Sequence, residues 1–135
     1  MVDLPVAVTL LSEPLADNTT LTKLTTLTLL PSVEQQLKAS LAKLGVPYVD
    51  LYYIHRVDVR VPIEVTMRTL SGFVKSGKIK YIGISEASAA TIRRAHAVHP
   101  LAALQMEYSA FALEFEDENI GLGKACRDLG ITVVA

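Results

Sequence analysis

His55 and Arg56 follow Asp50-Leu51-Tyr52-Tyr53-Ile54, an apolar and aromatic run of the kind that forms a buried strand. Histidine adds nothing to strand stability, whereas an imidazole can donate or accept a hydrogen bond and exchange a proton. Its place at a strand exit therefore points into a pocket. The same pattern recurs at Ile79-Lys80-Tyr81-Ile82-Gly83-Ile84-Ser85-Glu86 and at Leu101-Ala102-Ala103-Leu104-Gln105-Met106-Glu107. Three strand exits thus carry His55, Ser85 with Glu86, and Gln105 with Glu107. In a barrel all five fall at the C-terminal rim of the strands, where ligands sit. Because side chains alternate along a strand, His55 shares a face with Tyr53, Leu51 and Val49, and Tyr52 and Asp50 point the other way.

The elements that must position these residues alternate regularly. Ser32 is a candidate N-cap, with Gln35 three residues on, and Val33, Leu37, Leu41 and Leu44 form one helical face before Gly45. A strand is predicted over Tyr48–Ile54. Pro62 then opens a helix with the stripe Ile63, Met67, Leu70 and Val74, and Gly77 follows its end. Strand Ile79–Ile84 leads to a helix from about Ser88, carrying Ile92, Ala95 and Val98 inward and stopping before Pro100. Strand Leu101–Met106, a loop around Phe111–Phe115, a helix over Glu116–Leu129 and strand Ile131–Ala135 complete the pattern.

Four strand-and-helix repeats of this size predict a parallel α/β sheet. Such a sheet is covered either as a doubly wound open sheet or as a closed eight-stranded barrel. No Gly-x-Gly-x-x-Gly follows the first strand, which favours a partial (β/α)8 barrel, since four strands cannot close one. Residues 1–31 read as a divergent N-terminal segment, with Thr and Leu repeated through Asn18–Leu30 and only patches of alternation. Residues 32–135 read as the domain proper.

Composition excludes several functions. The 135 residues are 50% hydrophobic and 20% charged, which supports a packed core, and the net charge of -1 with scattered Lys and Arg gives no nucleic-acid surface. The apolar Leu4–Leu15 follows Asp3 with no early basic residue, unlike a secretory signal, and no run approaches a membrane span. Asn18-Thr19-Thr20 matches a glycosylation acceptor by chance on that reading. Cys126 is the single cysteine, so neither an internal disulfide nor a zinc spacing exists; a reducing, cytoplasmic setting is the expectation. Cys126 itself is expected to pack rather than react, and His96 and His99 to serve surface or capping roles.

The segments Gly45-Val46-Pro47-Tyr48-Val49-Asp50-Leu51-Tyr52-Tyr53-Ile54-His55-Arg56-Val57-Asp58 and Gly77-Lys78-Ile79-Lys80-Tyr81-Ile82-Gly83-Ile84-Ser85-Glu86-Ala87-Ser88 resemble the aldo-keto reductases. Arg93-Arg94-Ala95-His96-Ala97-Val98-His99-Pro100 and Gln105-Met106-Glu107-Tyr108-Ser109 extend the resemblance, which is nearest the microbial, fungal and plant branch with pyridoxal reductase-like enzymes. It covers Ser32 to Ala135. It implies a (β/α)8 barrel that reduces aldehydes and ketones with NADPH by hydride transfer. On that basis His55 matches the histidine that orients the carbonyl. Ser85 and Gln105 match residues that contact the nicotinamide carboxamide, and the resemblance assigns Glu86 to cofactor binding with them; it stands where many members have asparagine, although this branch often has Ser-Glu.

The departures from the family are as informative. Its aspartate, acid tyrosine and lysine come from the first three strands, and nothing before Pro31 resembles them; Tyr48, Tyr52 and Tyr53 lie on a later strand and do not replace the acid. The chain therefore reads as strands four to seven of the barrel, ending before the aromatic and the loop that hold the rest of the cofactor. Little or no activity is expected of it alone. The alternative is a non-catalytic fragment that self-associates, or binds a partner, through exposed sheet edges.

Overall fold

The structure is a computed structural model that describes residues 7–9 and 29–135. Asn18-Thr19-Thr20 and most of the Thr/Leu-rich segment lie outside the described residues. The elements run β1 (Ala7–Thr9), α1 (Leu29–Leu44), β2 (Val49–Ile54), α2 (Ile63–Lys75), β3 (Ile79–Ser85), α3 (Ala89–Val98), β4 (Leu101–Gln105), α4 (Leu122–Leu129) and β5 (Thr132–Val134).

The sheet has the order β1-β2-β3-β4-β5, and every neighbouring pair is parallel. Strand order therefore never reverses, unlike a doubly wound sheet. Crossovers of one hand then put every helix on the same face. Consistently, α1 packs on α2, α2 on α3 and α3 on α4. The core lies between these helices and the sheet, where Leu37, Met67, Leu70, Ile92 and Cys126 meet Tyr52, Ile54, Ile82, Ile84 and Leu104.

Local signals explain the helix ends. Ser88 caps α3, its hydroxyl accepting from the Thr91 N–H at 3.2 Å. Gly77, with φ of 71°, takes the left-handed turn that closes α2, and its N–H donates to the Val74 carbonyl at 3.0 Å. Pro62 is the N-cap of α2 rather than its first helical residue.

Three boundaries differ from expectation. Helix α1 starts at Leu29, so Ser32 is inside it and is not its cap. Pro31 is tolerated there because the first four helical N–H groups have no intrahelical partner to lose. Leu44, the last residue of α1, is 46% exposed and does not join the buried stripe. The helix predicted from Glu116 begins only at Leu122. Asp117 instead turns the chain, its carboxylate accepting from the Asn119 N–H at 2.8 Å, and Gly121 enters α4 from a left-handed conformation with φ of 66°. The third difference is β1, a fifth strand paired with β2 through Ala7–Leu51, Val8–Tyr52 and Thr9–Tyr53.

The face of the sheet opposite the helices carries Leu51, Tyr53, Tyr81, Gly83, Ala103 and Gln105, as the registers Leu51–Tyr81, Tyr53–Gly83, Gly83–Ala103 and Ser85–Gln105 require. Tyr53 is buried on this side by lying over Gly83. A Cβ at Gly83 would sit 2.5 Å from the Tyr53 ring, so glycine there is a steric requirement.

Candidate functional site

The strands are all parallel, so the residues at their C-terminal ends come out at one rim. There His55, Arg56, Ser85, Glu86, Gln105, Met106, Glu107 and Ala135 line an open cleft of about 380 Å³. Each strand-exit residue singled out from the sequence thus reaches the same cavity. Ser85 is the buried polar side chain of the described residues, 6% exposed, beside its sheet partner Gln105. Ser85 offers a hydroxyl, and Gln105 a donor and an acceptor, to a polar ligand.

His55 is half-buried, one residue beyond β2. Its Nδ1 is buried and has no hydrogen-bond partner among the described residues. A buried ring nitrogen without a partner is unusual outside functional sites, where a ligand or water can complete it.

The wall of the cleft is held by backbone and side-chain bonds between strand exits. The Glu86 N–H donates to the Gln105 carbonyl at 3.0 Å, and the Met106 N–H to the Val134 carbonyl at 3.1 Å. The Glu86 carboxylate accepts from the Glu107 N–H at 3.0 Å. Arg56, Met106 and Ala135 join the lining without having been assigned a role from sequence; Met106 is nearly buried, at 8% exposure, and reads as core until the register of β5 is known.

Two features elsewhere concern the proton donor. Burial pushes the phenol pKa of Tyr52 and of Tyr53 up, opposite to what an acid at neutral pH needs, and Tyr52 faces the helices. Tyr48, Asp50 and Lys80 do form a cluster, with Lys80 Nζ 2.5 Å from the Asp50 carboxylate and 3.4 Å from the Tyr48 hydroxyl. That cluster sits at the start of β2, and His55 follows its end. At about 3.3 Å per residue the two are separated by roughly 17–23 Å along the strand, too far for direct proton transfer to a group at His55.

The remaining candidates behave structurally. Cys126 is 2% exposed, and burial pushes its thiol pKa up, away from nucleophilic reactivity. His96 Nδ1 accepts from the Leu101 N–H at 3.3 Å, tying α3 to β4, and His99 is the C-cap of α3. No helix among the described residues is long and apolar enough to cross a membrane.

Among curated proteins, residues of this chain are 54% identical over 103 positions to the aldo-keto reductase str7 of Strobilurus tenacellus, covering 76% of this chain and 31% of that protein. The aldo-keto reductase yakc [NADP(+)] of Schizosaccharomyces pombe is 53% identical over 102 positions, covering 76% and 30%. The chain thus spans about a third of the length of these relatives. Among solved structures, the glycerol dehydrogenase AKR11B4 of Gluconobacter oxydans superposes with a TM-score of 0.72 at 27% identity, over 78% of this chain and 32% of that one. The thermostable aldo-keto reductase Tm1743, solved with epalrestat, gives 0.70 at 30% identity, over 78% and 38%. The open parallel sheet with its one-sided helices is accordingly part of a (β/α)8 barrel. The family model for the aldo/keto reductase family matches residues 30–135, and with relatives above half identity the chain belongs to that family.

Proposed function

We propose that residues 32–135 form the carbonyl- and nicotinamide-facing part of an NADPH-dependent reductase of aldehydes and ketones. The observation that carries this reading is the convergence of His55, Ser85 and Gln105 on one rim cleft. The relative from Schizosaccharomyces pombe is named as an NADP(+) enzyme, which supports the choice of cofactor.

The residues fit the nicotinamide end of such a cofactor, because Ser85 and Gln105 match the donor and acceptor pattern of a planar carboxamide. NADPH, when bound, supplies a hydride to the carbonyl carbon. As negative charge builds on the carbonyl oxygen, an N–H of His55 donates to it and fixes its direction. The Ser85 hydroxyl and the Gln105 amide would hold the carboxamide from the neighbouring strand ends. Among the described residues no tyrosine or lysine stands in the cleft to deliver the proton that must follow. General acid catalysis contributes about a hundred- to ten-thousand-fold, so the 135-residue chain alone turns over weakly or not at all. Its single, buried cysteine suits the reducing cytoplasm.

Titration of the labelled chain with NADPH tests the assignment. The reading requires amide shifts clustered at His55, Ser85 and Gln105; saturable shifts elsewhere, or none at millimolar cofactor, would overturn it. Turnover of an aromatic aldehyde should stay near background. Robust NADPH-dependent reduction by the chain, abolished in His55→Ala, would refute the prediction of weak activity.

A second reading is favoured by the helix-free face, where Tyr81 is 59% exposed and Val134 37%. With β1 and β5 as the two edges of the described sheet, these side chains favour self-association of the isolated chain. Light scattering across a concentration series should show higher-mass species that diminish in Tyr81→Glu with Val134→Lys. A monomer at every concentration, unfolding cooperatively, would exclude it.

A further inference from the structure

We propose that Glu86 is a positioning residue, a clip that locks the exits of β3 and β4 together and thereby sets the spacing of Ser85 and Gln105. This inference rests on the reading of the rim cleft as the nicotinamide site. Glu86 is the one non-glycine residue of positive φ among the described residues, at 49°. A side chain with a Cβ is disfavoured there, and such conformations persist only where the surroundings hold them.

Two bonds do so. The Glu86 N–H donates to the Gln105 carbonyl at 3.0 Å, and Oε1 of its carboxylate accepts from the Glu107 N–H at 3.0 Å. Glu86 thus grips the residue that supplies one wall of the cleft and the second residue after it. Ser85, immediately before Glu86, is the register partner of Gln105. The clip therefore brackets the two side chains that would face the carboxamide, and one carboxylate oxygen is committed to the protein rather than to a ligand.

A direct ionic contact and a clip make different demands. The clip needs a hydrogen-bond acceptor at the length of Glu, which Gln also supplies; a direct contact needs the charge. In Glu86→Gln, hydrogen exchange of the Glu107 amide and NADPH affinity should both stay within about threefold of the parent chain. In Glu86→Ala, Glu107 exchange should accelerate roughly tenfold or more, the scale of one charge-assisted bond, with a comparable loss of NADPH affinity. Glu86→Gly removes the carboxylate and also relieves the backbone, so its fold is preserved; it should lose the Glu107 protection all the same.

Unchanged Glu107 exchange in both Ala and Gly variants would overturn the clip. Loss of NADPH affinity in Glu86→Gln, with the Glu107 amide still protected, would overturn it in favour of direct contact. If the parent chain binds no NADPH, the functional reading fails, and the Glu107 exchange together with the Gln105 side-chain amide shift still decides the clip.

Discussion

The two faces of the sheet are built from alternating residues of the same strands and do opposite work. On the helix side Tyr52, Ile82, Ile84 and Leu104 are all 0% exposed. On the other side Tyr81 is largely exposed and the Tyr53 ring lies over Gly83. The first face supplies most of the burial that stabilises the chain; the second leads out to the cleft at the rim. A substitution one residue along a strand should therefore move from a stability effect to a binding effect.

The largest contrast is between Leu104→Ala and Tyr81→Ala. The former leaves a cavity in the core and should cost about 2–5 kcal/mol by urea unfolding, the latter less than about 1 kcal/mol. Equal losses would mean that the helix-free face is as tightly packed as the core. Gly83→Ala comes next, because its Cβ must displace the Tyr53 ring. A cost of about 1–3 kcal/mol is expected, largely recovered in the double variant with Tyr53→Val. Absence of coupling between the two would show that Tyr53 does not occupy the space over Gly83.

A smaller effect, of opposite sign, is expected at Tyr52. Its hydroxyl is buried without a partner among the described residues, so Tyr52→Phe removes an uncompensated polar atom and should stabilise by up to about 1 kcal/mol. The smallest effect lies outside the sheet, at the exposed pair of Glu64 and Arg94, whose two bonds are both 2.7 Å. The Arg94 guanidinium lowers the Glu64 pKa from 4.5 to about 2. A lowered carboxylate pKa means that the unfolded chain binds more protons in this interval, so the contribution is present above 4.5 and fades as pH falls towards 2. Glu64→Gln should flatten that part of the acid unfolding curve by a small amount; an unchanged curve would mean the pair is broken in solution.

Much of the fold was legible because it is written in short-range chemistry. Ser88, Gly77 and Pro100 mark element ends through local bonds and backbone restrictions, and the stripe Ile63, Met67 and Leu70 is set by helical spacing. The cleft was legible for a related reason: a parallel sheet puts every strand exit at the same end, so locating His55, Ser85 and Gln105 at exits also located them together. What escaped depends on partners distant in sequence or on competition between local structures. β1 has three residues and exists as a strand only through β2. The acidic run Glu116-Asp117-Glu118 favours a helix start by charge, but the Asx turn at Asp117 defers α4 to Leu122. The Glu86 carboxylate bond to Glu107 joins residues just beyond the ends of adjacent strands, and no periodicity announces it.

The strictly sequential strand order has a further consequence, for the way the chain can be assembled during synthesis. Among the described strands, each pairs with the one made just before it, one connection earlier, so these pairings can form in the order in which the strands leave the ribosome. Loop-closure cost is paid in small, similar instalments, and the sheet can grow outward from β2 and β3, the pair with the longest shared register.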